Sequence, residues 1–325
     1  MTEKAIRDLP ASQSKAMNRV ARAVQISGGF ARSSIAAFLV VLALPLNVNA
    51  QLPRSDSTNI TLSVLSWNLH GLPWPLSRDP AGRMRQVAGK IRELSPQIIL
   101  LQEVWLGSQV ELLVRELQPQ WTALYEPRAF NAPKGGLLAF VRQSKRCHMR
   151  GNARFRSFTS SAPLWRFWEG DGLGQKGILS LDLLCDNSTI SVIDTHLQSQ
   201  YSGLDYYSVR QSQIRELQSI VSARSGDSSV LIAGDFNTDA REPLYSSLVS
   251  LGVDMTADAR QGCKCGTIVD QPGGIPQWID YILVKTLPGW SPLAGVKLVC
   301  NRTTDDPYSD HQGVFGRITF TQKKS

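Results

Sequence analysis

The chain has 325 residues, 42% of them hydrophobic and 19% charged, and a formal net charge of +8. No Ser/Gly-rich linker or internal repeat divides it, which argues against several domains. The charge excess is too small to argue by itself for nucleic-acid binding.

That excess shrinks once the N-terminus is considered. Arg19, Arg22 and Arg32 precede the apolar stretch 35–46, and Val48-Asn49-Ala50 offers small residues for cleavage before Gln51. Residues 1–50 therefore read as an export signal that is removed, with Met17 as an alternative start. The apolar stretch is short for a membrane span and ends near Pro45. Six basic and two acidic residues fall in this segment, leaving 29 against 25, a net +4, on residues 51–325. A mildly basic surface suits an anionic membrane or a phosphate-bearing substrate. Residues 51–325 are expected to form one catalytic domain, secreted or periplasmic.

Along that domain, Leu62, Val64 and Ser66 alternate with Leu65, Trp67 and Leu69, as in a strand. Met84, Val87, Ala88, Ile91 and Leu94 then repeat at helical spacing until Pro96. Residues 97–104 form a continuous apolar run with Glu103 near its end, the pattern of a buried strand. Helical spacing returns over 110–117. Segments 136–141, 177–184 and 189–195 read as strands, the last two joined by the turn-prone Asp186-Asn187-Ser188. A long helix is expected over 205–223, a short buried strand over 230–233 and a helix over 242–251. Strands over 278–284 and 314–320 complete the series. Mixed strands and helices without a regular strand-helix repeat favour two packed sheets flanked by helices.

Six short motifs put an acid, amide or imidazole at the ends of these runs. They are Ser66-Trp67-Asn68-Leu69-His70-Gly71, Leu101-Gln102-Glu103-Val104, Asp194-Thr195-His196-Leu197-Gln198, Gly234-Asp235-Phe236-Asn237, Trp278-Ile279-Asp280-Tyr281-Ile282 and Ser309-Asp310-His311. Together they hold what hydrolysis at phosphorus needs: oxygens for a hard divalent cation, an imidazole to activate water, and donors for the phosphate. Their order and wording resemble the endonuclease/exonuclease/phosphatase (DNase I-like) superfamily, and within it the neutral sphingomyelinase branch. The resemblance implies an α/β, four-layer sandwich of two packed mixed β-sheets flanked by helices. It also implies a phosphodiester hydrolase that depends on Mg2+ or another divalent cation; a monomer is expected.

Glu103 and Asn68 are the candidate metal ligands, because a carboxylate ending an apolar strand is costly to bury without a cation. A salt bridge would serve Glu103 as well. His311 is the candidate general base, with Asp280 implied by the resemblance as the carboxylate that orients it. His196 and Asn237 are expected to bind phosphate oxygens. Asp235 lies on the same face as Asn237 if that segment is extended, and the resemblance implies a place for it beside the attacking water or the phosphate. Asp310 points away from His311 in an extended chain, where it would support a metal or a histidine, or serve only as a turn residue. Asp171 and Lys176 match a spacing that neutral sphingomyelinases carry on a loop near the phosphate; an ordinary solvent loop reads the same.

Sphingomyelin, cleaved to ceramide and phosphocholine, is the substrate this branch implies, and Gln198, Lys176 and the export signal favour it. A secreted nuclease is the alternative, and a non-catalytic binding module a third reading. Membrane contact is expected to be peripheral. Trp165, Phe167 and Trp168 form one aromatic cluster, and Trp290, in 287–292, matches the exposed aromatic hairpin of secreted bacterial sphingomyelinases. Core packing is the other reading of both. All five cysteines, Cys147, Cys185, Cys263, Cys265 and Cys300, lie beyond the export segment, where disulfides persist, and at least one stays unpaired within the chain. The resemblance implies a Cys147–Cys185 bridge, against two buried thiols. Cys263-Lys264-Cys265 has no nearby Cys or His to complete a metal site.

Overall fold

The computed structural model describes residues 59–73, 77–162, 175–200, 206–263, 265–268, 275–299 and 308–323. The export segment, the 165–168 aromatic cluster, Asp171 and Cys300 lie outside them.

The described residues form β1 (Asn59–Asn68), β2 (Ile98–Gln102), β3 (Thr122–Leu124), β4 (Leu138–Val141), β5 (Cys147–Ser157), β6 (Gly177–Cys185), β7 (Ser188–His196), β8 (Ser229–Asp235), β9 (Val253–Asp254), β10 (Asp280–Lys285), β11 (Trp290–Val299) and β12 (Gly313–Gln322). The helices are α1 (Pro80–Leu94), α2 (Gly107–Leu117), α3 (Tyr207–Arg224), α4 (Tyr245–Val249) and α5 (Ala257–Gln261). One six-stranded sheet runs β11-β12-β1-β2-β4-β3 and the other β5-β6-β7-β8-β10-β9. Both are mixed: β1–β2 and β7–β8 are parallel, whereas β1–β12 and β8–β10 are antiparallel.

Two-residue alternation decides which face each side chain covers. Leu62, Val64 and Leu100 from the first sheet meet Leu181, Val192 and Leu231 from the second in the central core. The alternate residues Leu65, Trp67, Ile99 and Leu101 turn outward and are covered by Met84, Val87 and Ile91 of α1 and Leu113 and Leu117 of α2. On the far side Ile193, Ile232 and Leu283 are covered by Ile214, Leu217 and Val221 of α3. The result is four layers, helix, sheet, sheet, helix, as the resemblance implied.

Differences from the expected elements have local causes. The expected helix over 242–251 contracts to α4, because Pro243 and the Asp239–Glu242 turn occupy its start. The strand ends at Gln102, and Glu103 takes a left-handed φ of 57° outside it. β5 and β11 were not foreseen. β5 carries exposed Arg150, Arg154 and Arg156 with a register shift between Arg150 and Arg154, and β11 contains Pro292. Both are edge strands, as is each of the short β3 and β9.

Cys147 and Cys185 stand opposite one another in the β5–β6 ladder and are bonded. Cys263 and Cys265 are bonded too, a pairing that the sequence did not suggest. Such bridges belong to an oxidising compartment. No described helix is long and apolar enough to cross a membrane.

Trp290 is the first residue of β11, pairs with Gln322 and packs half-buried against the central core. The Leu287–Gly289 turn precedes it, so it is not the tip of the hairpin. Trp290→Ala is expected to destabilise the protein by roughly 2 kcal/mol through lost packing, and to lower activity on vesicles and on soluble substrates alike. A melting curve beside the two assays checks this; a loss confined to vesicles, with an unchanged melting temperature, would show that Trp290 docks on lipid.

Candidate active site

The six motifs meet at one end of the sandwich, where β1, β2, β7 and β8 terminate and β10 and β12 begin. In the second sheet, register sets Asp235 beside both Asp280 and His196. Gly234 lets this happen: its φ is 147°, and a Cβ there would lie 1.9 Å from the Thr195 carbonyl oxygen. In the first sheet, Gly71 allows a similarly close approach, donating its N–H to the Glu103 carbonyl at 3.0 Å where a Cβ would lie 2.2 Å from the same oxygen.

His311 Nδ1 is 2.9 Å from Asp280 Oδ2 in a buried contact. A protonated Nδ1 donates there and leaves Nε2 facing Asp235 Oδ2 at 3.7 Å. Burial works against the imidazolium, but the charges of Asp280 and then Asp235, with the Asp280 hydrogen bond, hold the His311 pKa well above its ordinary value. Trp67 Nε1 donates to the His311 carbonyl at 3.0 Å, and the His311 N–H donates to Ser309 Oγ at 3.1 Å. Ser309 Oγ in turn donates to the Asn68 carbonyl at 2.7 Å.

Asp235 is the hub. Its Oδ2 accepts from Asn68 Nδ2 at 2.9 Å and lies 3.4 Å from His196 Nε2, while Oδ1 accepts the Asn237 N–H at 2.9 Å. Burial and then the Asp280 charge push its pKa up to about 7. Asn237 is not on an extended segment: its φ is 45°, and its Nδ2 donates to the Leu197 carbonyl at 3.1 Å. The tight turn closed by the Asp235 carboxylate, rather than strand alternation, brings Asn237 to the site.

The sign of the Asp235 shift gives a test in metal-free protein. Its folded pKa lies above the unfolded value near 4, so its contribution to stability falls as pH rises from about 4 to about 7 and stays low above that. An amide has no such slope. The stability of Asp235→Asn relative to wild type is therefore expected to rise between pH 4 and pH 8 by a few kcal/mol at most. Thermal melts in chelator at the two pH values measure it; a difference independent of pH would rule out the shift.

His196 and Lys176 form the floor, both almost wholly buried, with Lys176 Nζ 2.7 Å from His196 Nε2. Lys176 is thus not on a solvent loop. Burial, then Lys176 and His311, depress the His196 pKa well below its ordinary value, which keeps the ring neutral. Nε2 accepts from the ammonium, so the ring proton sits on Nδ1. Gln198 Oε1 accepts the Ala162 N–H at 3.0 Å and its own N–H donates to Gln213 Oε1 at 2.9 Å, anchoring the chain beside His196.

Beside Asp235 lies an oxygen-rich corner. Asn68 Nδ2 also donates to Glu103 Oε1 at 3.0 Å, and Asn68 Oδ1 accepts the His70 N–H at 3.0 Å. His70 Nδ1 lies 3.1 Å from Asp310 Oδ2 and 3.9 Å from Glu103 Oε2. The hydrogen bond to Asp310 raises the His70 pKa against the effect of burial. Burial works to raise that of Asp310, but His70 and His311 outweigh it and hold the carboxyl below the usual range. Asp310 and His311 thus face different partners. Two carboxylates and an amide oxygen around a half-open corner match the donors a hard divalent cation takes. Asp235, Asp280 and His311 also lie close enough to share an ion, but His311 Nδ1 is already committed to Asp280.

Two supporting groups went unnoticed in the sequence. Arg83 Nη1 donates to the carbonyls of Leu69 and Tyr308 at 2.9 and 3.0 Å, and Nη2 to that of His70 at 2.8 Å and to Ser77 Oγ. One guanidinium so ties the segment after Asn68 to the segment before Ser309. Gln102 Nε2 donates to Asp194 Oδ1 at 2.7 Å across the two sheets. Burial raises the Asp194 pKa well above its ordinary value. Trp290 is not brought to the site: it lies beside the start of β1, about nine residues of strand and roughly 30 Å from Asn68.

The site is thus a histidine-carboxylate pair facing a second carboxylate, with an oxygen-rich corner adjoining. The sequence profile of the Endonuclease/Exonuclease/phosphatase family matches residues 65–311, and the chain belongs to that family. No curated protein matches it significantly in sequence. Solved structures share the fold. TDP2 from D. rerio, in complex with a single-strand DNA product, is 17% identical with a TM-score of 0.61, covering 81% of this chain and 99% of that one. Sphingomyelinase C from Streptomyces griseocarneus is 17% identical with a TM-score of 0.60, covering 79% and 99%. A beta toxin variant from Staphylococcus aureus with bound magnesium ions is 16% identical with a TM-score of 0.61, covering 82% and 100%.

Proposed function

We propose that the chain is a secreted, Mg2+-dependent phosphodiesterase that cleaves sphingomyelin to ceramide and phosphocholine. The observation that carries the reading is the His311 imidazole held between Asp280 and Asp235. A water between His311 Nε2 and Asp235 gives its proton to the imidazole, and Asp280 stabilises the imidazolium formed. The resulting hydroxide attacks phosphorus as the bond from phosphorus to the ceramide oxygen breaks; that oxygen takes a proton from water, and the imidazolium returns its proton to solvent. Lys176 and Asn237 would supply positive charge and an amide donor to the phosphate oxygens as they gain charge, and neutral His196 holds Lys176 through Nε2. Glu103, Asn68 and Asp310 would hold a magnesium ion, which would supply charge neutralisation at the phosphate. A cation in that corner would also work against protonation of His311.

Gln198 and Lys176 in their motifs, the net charge of +4 beyond the leader and the export signal favour a lipid over a nucleic acid. Phosphocholine release from sphingomyelin vesicles, measured with magnesium and with chelator beside phosphatidylcholine and plasmid DNA, tests this. Cleavage of DNA without phosphocholine release would replace the lipid reading with a nuclease.

A further inference from the structure

Asp280 lies in one sheet, and His311 lies just outside the other. Asp280 opens β10 of the second, and His311 stands two residues before β12 of the first. No ladder joins β10 to β12, so strand pairing does not set the 2.9 Å contact between the two side chains. Gly266–Ile268 fills the gap between the strands. Thr267 Oγ1 accepts the backbone N–H of Ile279 at 3.0 Å and that of Asp280 at 3.1 Å. The Thr267 N–H donates to the Gln277 carbonyl at 2.8 Å. On the other side the Thr267 carbonyl accepts the Gln312 N–H at 2.6 Å, and Ile268 forms a β-bridge with His311. Gln312 Nε2 donates to the Gly266 carbonyl at 3.1 Å.

Trp67 and Ser309 hold His311 from the β1 side. Thr267 touches both strands. It is fully buried, so water cannot replace its hydroxyl on the two amides. We propose that Thr267 is a positioning residue for the Asp280–His311 pair: its hydroxyl fixes the entry of Asp280 into β10 while its carbonyl fixes the approach of His311 to β12. The inference rests on the reading of His311 as the general base. A displacement of about 1 Å in such a pair is enough to cost on the order of 10²-fold in rate.

Thr267→Val keeps the side-chain shape and removes the hydroxyl, whereas Thr267→Ser keeps the hydroxyl. Hydrolysis of the soluble diester bis(4-nitrophenyl) phosphate with magnesium, below both melting temperatures, is the kinetic readout. The Val variant is expected to lose about 10-fold or more in kcat with KM nearly unchanged, and the Ser variant to keep most of the activity. Proton NMR of the metal-free protein supplies a second readout. The His311 Nδ1 proton, identified by its loss in His311→Ala, should stay far downfield in wild type and Ser and be lost or move upfield in Val. A Val variant with wild-type kcat and an unchanged imidazole signal overturns the proposal, as does a Ser variant as impaired as Val. Should wild type hydrolyse no phosphodiester, the functional reading fails while the NMR comparison still tests the positioning.

Discussion

Replacing His311 with Ala is expected to lower turnover by about 10²- to 10⁴-fold while leaving the magnesium-induced rise in melting temperature intact. The imidazole contributes to proton transfer from water and offers no ligand to the Asn68–Glu103 corner, so chemistry and cation binding separate in this variant. Asp280→Asn is expected to act in the same direction, since an amide can present its NH2 to His311 Nδ1 and favour the wrong tautomer. The double variant should lose less than the product of the single losses, because the two groups work as one unit through their 2.9 Å contact. Steady-state kinetics on the four proteins give the coupling directly. Activity of His311→Ala within a few-fold of wild type would mean that another group activates the water.

Glu103→Gln is expected to do the reverse, weakening magnesium binding and activity together. The amide keeps one oxygen for Asn68 Nδ2, so the fold survives, but a negative charge leaves the corner that Glu103 shares with Asp310 and His70. Changes one shell farther from a bound metal typically cost about 10- to 100-fold, and loss of a ligand charge should cost at least that. The readouts are turnover against magnesium concentration and the shift in melting temperature on adding magnesium. If both match wild type, Glu103 is not a ligand.

The sequence made the skeleton of the site legible because each chemical group follows an apolar run. Asn68, Glu103, His196, Asp235 and Asp280 all sit at strand ends, and hydrophobic alternation locates those ends to within a residue or two. β5 escaped notice because an edge strand buries only part of its surface: its exposed arginines interrupt any apolar run. β11 escaped for the same reason, aggravated by Pro292 and Gly295. Thr267 and Arg83 act on backbone carbonyls and amides from distant segments, and such contacts leave no residue-type signature on the partner. The orientation of Asn237 was misread because a positive φ at a non-glycine residue is set by the Asp235 side chain, not by local propensity.

The edges of the two sheets also bear on how the protein behaves in company. An open sheet offers its outer strand to any passing chain, and two open sheets offer four such margins. Here β3 and β9 are too short to template a partner, β11 interrupts its outer row of donors with Pro292, and β5 combines a bulge with outward arginines. Each margin thus resists pairing with another chain through its own shape and side chains, a protection against aggregation that does not depend on net charge.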